Sequence, residues 1–575
     1  MVKLFLHLRP YRWYLVVAIL VLFGQSIADL FLPTLMAEIV NNGMMKGDTG
    51  YIWKYGSYML VVVLVISICS IIASFLSSII GMSFGRDVRD RVFSRIESYS
   101  LHEFDKIGTA SLITRTTNDI IQVQNLVIMG LRFIVYAPIM SVGGIIMAYS
   151  KDKQLTLLLV VALPLMMFLI GRLATVVVPL FKAMQVKLDQ VNLVLRENLT
   201  GIRVIRAFNR LDRENKRFKA ANRDLADNAI RVNKIMAVMH PLMMLIMNLT
   251  TVAIIWFGGH RISQDMMQVG DMMAFIQYAM MVMFSIVMVT IMFVMLPRAQ
   301  ASAIRINEVL DIEPGIVDPP QTIKTGGRTG VVQFQDVNFS YPGAELPAVS
   351  NVSFTASPGE VTAIIGGTGA GKSTLVNLIP RFYDVSGGSV LVDGVDVRQI
   401  KQKELRARIG FVPQQPVLFS GTISENIRYG KAEATDQEVA HAAEIAQAGE
   451  FIAGMKDGYE SMISQGGTNL SGGQKQRLSI ARALVRQPGI YILDDSFSAL
   501  DYKTDARLRA ALRNETAAST VIIVAQRVGT VMDADRIIVL EEGRVAGMGR
   551  HRELLESCRV YREIVSSQLS EEEIA

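Results

Sequence analysis

The stretch from Val361 to Thr374, VTAIIGGTGAGKST, decides the fold of the second half of this chain. Residues 361–365 are a short apolar run typical of a buried strand, and a glycine-rich loop leads from them into a helix. The loop matches G-x-x-x-x-G-K-[ST] in the strand-to-helix context that this motif requires. Glycines let backbone amides curl around phosphate oxygens, and the following helix directs its positive end at them. The sequence therefore predicts a phosphate-binding loop in an α/β domain.

Three polar side chains near this loop have distinct expected roles. Lys372 should reach the β- and γ-phosphates of ATP, and Ser373 should ligate Mg²⁺. A second apolar strand, residues 490–493, ends in Asp494, at the place where P-loop proteins orient Mg²⁺. A glycine loop with a purely structural role is the alternative, and the strand-to-helix context disfavours it. The predicted ATP-binding residues of the loop are Gly366, Gly367, Thr368, Gly369, Ala370, Gly371, Lys372, Ser373 and Thr374.

The first 300 residues or so have a different composition from the rest. The chain has 575 residues, of which 51% are hydrophobic and 19% charged, and the apolar excess lies in this first half. A helix that spans a bilayer needs about 20 mostly apolar residues. Six stretches meet this requirement, at residues 14–40, 58–82, 126–149, 155–178, 235–258 and 272–296.

Basic residues predict the orientation of these spans. Arg9 and Arg12 precede the first span, and a dense basic run at residues 196–231 lies between the fourth and fifth. Lys and Arg accumulate on the cytosolic side of membrane proteins, so these segments should be cytosolic. We expect an integral multi-pass protein of the cell membrane, a bacterial cytoplasmic membrane, with both termini and the nucleotide-binding domain in the cytoplasm.

Charge and cysteine content narrow the partners and the compartment. The formal net charge of +6 is spread through both halves, which argues against a nucleic-acid partner and suits contact with anionic membrane lipid. The two cysteines, Cys69 and Cys558, cannot form a disulfide framework. They fit a soluble part that faces a reducing compartment.

Two cytosolic connections are too long for ordinary loops. Residues 83–124 and 182–234 contain almost no proline, which predicts helices that continue beyond the bilayer. Gly108 and residues 206–212 are candidate return points. A helix of about 20 residues extends about 30 Å, enough to carry a loop tip to a soluble domain, so these connections are candidate coupling elements. The alternative is a pair of solvated charged helices without a coupling role.

The order of these segments predicts a multidomain fold. Residues 1–310 should form an all-α transmembrane domain of six helices with long cytosolic helical extensions. Residues 311–330, rich in proline and glycine, should be a linker. Residues 331–575 should form an α/β P-loop nucleotide-binding domain.

A third motif identifies the family that the chain resembles. The pentapeptide Leu470-Ser471-Gly472-Gly473-Gln474 lies between the phosphate loop and the second strand. With this order of motifs the chain resembles a half-transporter of the ATP-binding cassette (ABC) exporter family, in which the pentapeptide is the signature. The resemblance covers essentially the whole chain and implies an ATP hydrolase coupled to transmembrane transport, with ATP and Mg²⁺ as cofactors. In this family ATP is sandwiched between the phosphate loop of one cassette and the signature of another, so a second half-transporter is implied as partner.

Further site residues follow from the resemblance. Tyr341 resembles the aromatic residue that stacks on adenine, although an ordinary buried aromatic is the alternative. Gln414 resembles the glutamine that contacts Mg²⁺ and the attacking water, so the implied metal ligands are Ser373, Gln414 and Asp494. Residues 498–501 resemble the loop that crosses between two cassettes.

The chain departs from the family pattern at two positions. Asp495 stands where the family usually has the catalytic glutamate, and Gln526 stands where it has the switch histidine. The aspartate is one methylene shorter, and a misplacement of about 1 Å can cost about 100-fold in rate. Glutamine hydrogen-bonds but cannot carry the charge of an imidazole. We expect the ATP site on this chain's own loop to bind nucleotide and hydrolyse it poorly.

The intact signature indicates the type of assembly. A homodimer would contain two weak sites and leave two good signatures without an active site to serve. We therefore expect a non-identical partner that carries the catalytic glutamate and switch histidine and uses this chain's signature. The pattern is similar to that of heterodimeric bacterial multidrug ABC exporters.

The transported substrate is the least determined feature. Asp29, in the first span, is a candidate residue of a substrate cavity because charges inside a membrane are costly and usually functional. Methionines are concentrated in the last two spans and make adaptable surfaces, although lipid-facing or packing roles are the alternative. We expect ATP-driven export of small amphipathic compounds or drugs by alternating access. Export of a lipid, peptide or siderophore is an alternative, and an ATP-gated channel or regulatory subunit is an alternative of another class.

Overall fold

The structure is a computed structural model that describes residues 1–320 and 330–569. Two units emerge from the contacts within it. The first contains Met1–Glu97 and Thr109–Ile312, and the second contains Ser98–Gly108 together with the chain from Glu313 onward. The short segment Ser98–Gly108 therefore belongs to the same unit as the nucleotide-binding domain, although it is connected at both ends to membrane helices.

The first unit is entirely helical, as the sequence predicts. Six of its helical segments are long and apolar enough to cross a membrane. The α-helices of the chain up to residue 311 are α1 (Val2–Phe5), α2 (Arg12–Glu38), α3 (Thr49–Glu97), α4 (Leu101–Ile107), α5 (Thr109–Thr114), α6 (Ile120–Lys151), α7 (Thr156–Thr200), α8 (Ile202–Ala207), α9 (Leu211–Ser263) and α10 (Val269–Asp311). A 3-10 segment (Leu6–Tyr11) and two π-helical segments (Ile39–Met44 and Arg115–Asp119) join them.

The predicted helical extensions are confirmed. Helix α3 continues to Glu97, and the chain reverses after α4 at Gly108, whose φ of 80° is one that glycine adopts without strain. Helix α7 continues to Thr200, and the second reversal follows α8, where Asn209 has a φ of 51°. The capping box of α4 explains its start, because Ser100 N–H donates to the Glu103 carboxylate at 2.7 Å.

Ion pairs join the outer ends of the predicted spans. Asp152, in the turn between α6 and α7, is buried and accepts a hydrogen bond from Arg261 Nε of α9 at 2.6 Å. Its carboxylate also accepts from the backbone N–H groups of Gln154 and Leu155. Nearby in sequence, Lys151 Nζ lies 2.7 Å from Asp271 of α10. Helices α6, α7, α9 and α10 are thus linked by charged contacts at one end.

The described part of the second unit contains three β-sheets. Their strands are β1 (Val332–Phe339), β2 (Val349–Ala356), β3 (Val361–Gly366), β4 (Gly387–Val392), β5 (Val395–Asp396), β6 (Ile409–Val412), β7 (Gly421–Thr422), β8 (Met462–Ile463), β9 (Ile490–Asp494), β10 (Thr520–Val524), β11 (Arg536–Glu541) and β12 (Arg544–Gly549). The main sheet has the order β12-β11-β3-β10-β9-β6, an antiparallel sheet has the order β2-β1-β4-β5, and β7 pairs with β8.

Ten helices accompany these strands in the described part of the second unit's main segment. They are α11 (Lys372–Leu378), α12 (Gln402–Arg406), α13 (Ile423–Arg428), α14 (Asp436–Ile445), α15 (Gly449–Ala453), α16 (Gly472–Leu484), α17 (Tyr502–Glu515), α18 (Val528–Val531), α19 (His551–Ser557) and α20 (Arg559–Ser566). Short 3-10 turns occupy Val397–Gln399, Gly458–Glu460 and Gln465–Gly467. The predicted linker, 311–330, falls between α10 and β1, with 321–329 outside the described residues, so its boundaries stay a prediction.

The main sheet is buried on both faces. Alternate residues of β9 enter different cores: Tyr491 and Leu493 pack in one, and Ile490 and Ile492 in the other. The side chains of β3 and β10 also alternate between the two cores, because successive side chains of a strand point to opposite faces of the sheet. This burial explains why the sequence shows these strands as continuous apolar runs.

The parallel strands bring the predicted site residues to one edge. Strands β11, β3, β10, β9 and β6 are mutually parallel, so their carboxyl ends meet at the same edge of the sheet. The phosphate loop follows β3, Asp494 ends β9, Gln526 follows β10 and Gln414 follows β6. Crevices at this edge are where open α/β sheets bind ligands.

Replacement of Arg261 by methionine should lower the stability of the membrane unit. The change leaves the Asp152 carboxylate buried without its charged partner, and breaking a buried ion pair costs about 3 kcal/mol. Lys3→Met is the matched control, because its ion pair with Asp311 is exposed and such pairs contribute less than about 1 kcal/mol. Thermal unfolding of the purified protein in detergent measures both. An equal loss of thermal stability in the two variants would show that the Asp152–Arg261 ion pair stabilises the membrane unit no more than an exposed pair does.

Candidate nucleotide-binding site

The phosphate loop has the backbone conformation that its glycines permit. Gly369 and Gly371 have φ values of 82° and 91°, a region that residues with a Cβ rarely adopt. A Cβ on Gly371 would also lie 2.5 Å from the carbonyl oxygen of Ala348. The loop tip at Gly367, Thr368 and Gly369 is exposed, so its backbone is accessible to a phosphate.

Lys372 lies at the centre of this loop. Its ammonium donates to the carbonyl oxygens of Gly366 at 2.8 Å and Gly367 at 2.7 Å, and the residue is buried. Burial lowers the pKa of the Lys372 side chain, and the nearby carboxylates of Asp495 and Asp494 act in the opposite direction. A cation is therefore held beside the loop by the loop's own carbonyl groups, in reach of phosphate oxygens.

Ser373 and Asp494 are brought together from distant parts of the sequence. Ser373 Oγ donates to Asp494 Oδ1 at 3.0 Å, and Asp494 is buried at the end of β9. Burial raises the pKa of the Asp494 carboxyl group. A hydroxyl and a carboxylate fit Mg²⁺, which prefers oxygen ligands and usually takes one or two carboxylates plus phosphates. No cluster of three or more His, Cys, Asp or Glu in the described chain could hold a metal by itself.

The two residues that depart from the family pattern contact each other. Gln526 Nε2 donates to Asp495 Oδ2 at 3.3 Å, and the side chain of Gln414 also hydrogen-bonds to this carboxylate. Burial raises the pKa of Asp495. The backbone of Asp495 is left-handed, with a φ of 45°, and its N–H donates to the Val524 carbonyl of β10 at 2.9 Å.

Sequence analysis missed the residue that holds the Gln526 loop. The side chain of Gln568, close to the end of the described chain, donates to the Gln526 carbonyl oxygen and accepts from Val528 N–H, both at 2.8 Å. One amide thus clamps the backbone on both sides of Arg527. No sequence motif surrounds Gln568, so only the tertiary contact reveals it.

Tyr341 lies beside the helix that follows the phosphate loop. Its hydroxyl is 3.0 Å from Thr374 Oγ1, and its ring packs edge-on against Tyr383 with centroids 5.4 Å apart. The residue is 37% exposed, so part of its ring is free to contact a ligand. This position is compatible with the stacking role that the family resemblance implies. Tyr383 itself was not singled out from the sequence.

The signature forms the start of a helix. Ser471 precedes α16 and forms a capping box with Gln474: Gln474 N–H donates to Ser471 Oγ at 3.3 Å, and Ser471 N–H donates to Gln474 Oε1 at 2.9 Å. Leu470 is buried, Ser471 and Gly472 are exposed, and Gly473 lies against the Ala499 carbonyl. Among the described residues, no hydrogen bond, ion pair or ring contact joins the signature to the phosphate loop.

Arg482 connects the signature helix to the segment that follows Gln414. Its guanidinium donates to the backbone carbonyls of Asn426 and Val417, each at 2.9 Å, and lies over the rings of Phe419 and Tyr429. Sequence analysis also missed this residue. The sequence does contain a signal for it. A single arginine in the apolar pattern SIARAL must find hydrogen-bond partners when it is buried.

The membrane unit places Asp29 between two helices. Asp29 of α2 accepts a hydrogen bond from Tyr136 OH of α6 at 3.1 Å, and Gln25 also hydrogen-bonds to it. Gln25 is buried, and its Oε1 has no hydrogen-bond partner. Glu38, near the other end of α2, accepts from Asn42 and Tyr51.

Comparisons with known proteins agree with this architecture. Residues 15–287 match the family described as ABC transporter transmembrane region, and residues 349–498 match the family described as ABC transporter. An uncharacterised ABC transporter ATP-binding protein of Mycobacterium tuberculosis (strain CDC 1551 / Oshkosh) is 43% identical over 98% of this chain and 97% of its own length. An ATP-dependent lipid A-core flippase of Syntrophus aciditrophicus (strain SB) is 32% identical over 88% of this chain and 84% of its own length.

A solved structure extends the similarity to three dimensions. The structure of a bacterial Atm1-family ABC exporter with ATP bound matches with a TM-score of 0.80 and 26% identity, over 97% of this chain and 99% of that one. The six apolar helices and the cassette make this chain an integral membrane protein with a cytosolic nucleotide-binding domain. The chain therefore belongs to the ABC transporter family, as an exporter half-transporter in which a transmembrane region is fused to a cassette whose ATP hydrolysis drives transport.

Proposed function

We propose that this chain is one half of a heterodimeric exporter of amphipathic compounds, and that its own phosphate-loop site binds Mg²⁺ and ATP but hydrolyses ATP poorly. The position of the Asp495 carboxylate carries the proposal. Its backbone is anchored to β10 through Val524, so it cannot advance to replace the methylene that aspartate lacks relative to glutamate. The carboxylate is also engaged by the Gln526 amide. A base that is set back and already hydrogen-bonded polarises an attacking water poorly.

The Gln526 loop supports the same proposal. A neutral amide cannot carry the positive charge that a histidine can carry at this position. The loop is held in place by Gln568, so Gln526 is fixed against Asp495. Both departures from the family pattern therefore act on the same step, the activation of water.

The signature supports a partner with a competent site. The N-terminus of α16 is capped by Ser471 and exposed, and a helix N-terminus favours anions. This signature makes none of the described contacts with its own phosphate loop, so it is available to ATP on a second cassette. A partner with a catalytic glutamate and a switch histidine would make one consensus site and one degenerate site.

Contacts of α4 support coupling of the cassette to the membrane helices. Glu103 of α4 accepts a hydrogen bond from the Gly315 backbone, in the same unit as the cassette. Burial raises the pKa of the Tyr383 hydroxyl, and the charges of Tyr341 and Asp105 act in the same direction. Asp105 of α4 is therefore within electrostatic range of a ring that packs against Tyr341. A change in nucleotide at Tyr341 would thus reach α4 and then α3, as alternating access requires.

A lipid cargo is the second candidate. The similarity to the Syntrophus relative, an ATP-dependent lipid A-core flippase, favours it for a chain of this architecture. A purely regulatory or channel role is less well supported, because an intact signature serves ATP hydrolysis on a partner.

Reconstitution with a non-identical half-transporter should yield ATPase activity that the purified chain alone lacks. In this heterodimer, Asp495→Asn should change the rate by less than about twofold. Replacement of the partner's catalytic glutamate by glutamine should lower it about 100-fold or more, because a general base contributes at least that factor. Phosphate release in proteoliposomes measures these rates. Full activity of the chain alone, or loss of activity in Asp495→Asn, would show that Asp495 is a sufficient base.

Tyr341→Ala should weaken nucleotide binding at the degenerate site about tenfold, because stacking on a base contributes about 1–3 kcal/mol. Tyr341→Phe keeps the ring and loses only the hydroxyl contact with Thr374, so it should retain binding. Photolabelling of the heterodimer with azido-ATP, with the two subunits resolved on a gel, reports on each site separately. Unchanged labelling in Tyr341→Ala would make the ring an ordinary packing residue.

Asp29→Asn should alter transport more than ATP hydrolysis if Asp29 contacts the substrate. The expected change in uptake of amphipathic dyes by inside-out vesicles is about fivefold, with basal ATPase within about twofold, because intramembrane charges usually serve function. Glu38→Gln is the matched control, since Glu38 is on the same helix and is already bound by Asn42 and Tyr51. If Asp29→Asn and Glu38→Gln give the same transport, Asp29 has no special role.

A further inference from the structure

A cavity of about 860 Å³ lies between helices α7, α9 and α10 of the membrane unit. Its volume is within the range of about 300–1,000 Å³ that small-molecule sites occupy. Of the sixteen lining residues that the structure describes, only Lys182, Thr290 and Arg298 have polar side chains. The walls are otherwise aliphatic, aromatic or thioether groups, including Met236, Met239 and Phe181. This cavity is therefore suited to a ligand with an apolar body.

Two of the three polar side chains described at the cavity, Lys182 and Arg298, are cationic. Thr290 Oγ1 donates to the Ile286 carbonyl at 2.9 Å, so its hydrogen is already used within α10. Lys182 and Arg298 make no ion pair and no side-chain hydrogen bond in the described part of the chain. No Asp or Glu is among the residues described as lining the cavity. Both side chains are exposed, and within the described part of this chain no carboxylate neutralises them. Two such cations beside an apolar surface are complementary to an anion that carries an apolar group.

Both cations lie at the same end of the cavity walls. The fourth predicted span ends at residue 178, and Lys182 comes four residues later. The sixth predicted span ends at residue 296, and Arg298 comes two residues later. Both helices run toward the cytosol at these points, because the basic connections predict that side. Single basic residues at the ends of spans commonly serve as interfacial anchors. Here the two residues come from different helices and line one cavity, which an anchoring role does not require.

We propose that this cavity binds the transported substrate as an amphiphilic anion. Its carboxylate, sulfonate or phosphate group would lie between Lys182 and Arg298, and its apolar body would lie along α7 and the two methionines of α9. The proposal rests on the export function proposed above and names the class of its cargo. The occupant is an exported compound and not a resident bilayer lipid, because the volume is that of a small-molecule site.

The test uses the nucleotide-free heterodimer in phosphatidylcholine nanodiscs, with binding to empty nanodiscs subtracted. Pyrenebutyrate and pyrenebutyl-trimethylammonium share one apolar body and differ in charge. Fluorescence titration should show that the anion binds at least about tenfold more tightly than the cation, the size expected for charge-assisted contacts. Equal binding of the two probes, or preference for the cation, would overturn the proposal.

The double substitution Lys182→Gln and Arg298→Gln should remove this preference by weakening binding of the anion about tenfold, with binding of the cation unchanged. The control is Lys187→Gln, on the same helix but paired with Asp224 outside the cavity. It should bind both probes as the unmodified complex does. Azido-ATP labelling of the variant complexes checks that they are folded. Unchanged anion binding in the double variant would also overturn the proposal.

Two further measurements separate the possible failures. Because the titration needs no ATP hydrolysis, a heterodimer without partner-dependent ATPase contradicts the proposed function and leaves the binding result intact.

Nanodiscs that contain phosphatidylglycerol test the resident-lipid alternative. If this lipid abolishes pyrenebutyrate binding and no pyrenebutyrate enters inside-out vesicles with ATP, the cavity holds bilayer lipid and the cargo assignment is wrong. ATP-dependent uptake of pyrenebutyrate, lost in the double variant, would support it.

Discussion

The parallel alignment of β3, β10, β9 and β6 is the constraint on which the nucleotide site depends. Each strand delivers one functional group to the same edge of the sheet, and the strands are held in register by their hydrogen bonds. The sheet is buried on both faces, so the strands cannot shift without disturbing two cores. Small differences in side-chain length at this edge therefore cannot be absorbed by movement of the backbone.

Under the proposed function, this rigidity is the reason that aspartate in place of glutamate slows ATP hydrolysis. In a mobile loop, a carboxylate one methylene shorter could be brought forward. At Asp495 the backbone N–H is bound to Val524 of β10, and the side chain is bound to Gln526. The neighbouring Ser373 hydroxyl and Asp494 carboxylate lie 3.0 Å apart and are oxygen groups of the kind that Mg²⁺ prefers. Under the proposed function, the same scaffold holds the groups that bind nucleotide and keeps the Asp495 carboxylate behind the position that a glutamate carboxylate would reach.

The membrane unit is organised by a different balance of forces. Lipid is as apolar as the helices, so burial of apolar surface contributes little to helix association, and packing and polar contacts matter more. The described ion pairs at Asp152 and Asp271 join α6, α7, α9 and α10 at their outer ends. Toward the cytosol, α7, α9 and α10 leave a cavity between them, with Lys182 and Arg298 on its walls. Tight contacts at one end and a cavity toward the other are what a transporter needs in order to open on one side.

The sequence by itself determined the features that depend on neighbouring residues. The length and apolarity of the six spans, the strand, loop and helix around Lys372, and the replacements at Asp495 and Gln526 are all local, because each is defined by residue types within about 20 positions. Tertiary structure alone decided that Gln526 contacts Asp495, that Gln568 clamps the Gln526 loop, and that Lys182 and Arg298 line one cavity. These contacts join distant parts of the chain, and they depend on the order of strands and the packing of helices. No local pattern encodes that order, because it results from the competition among all possible long-range contacts for the same buried surface.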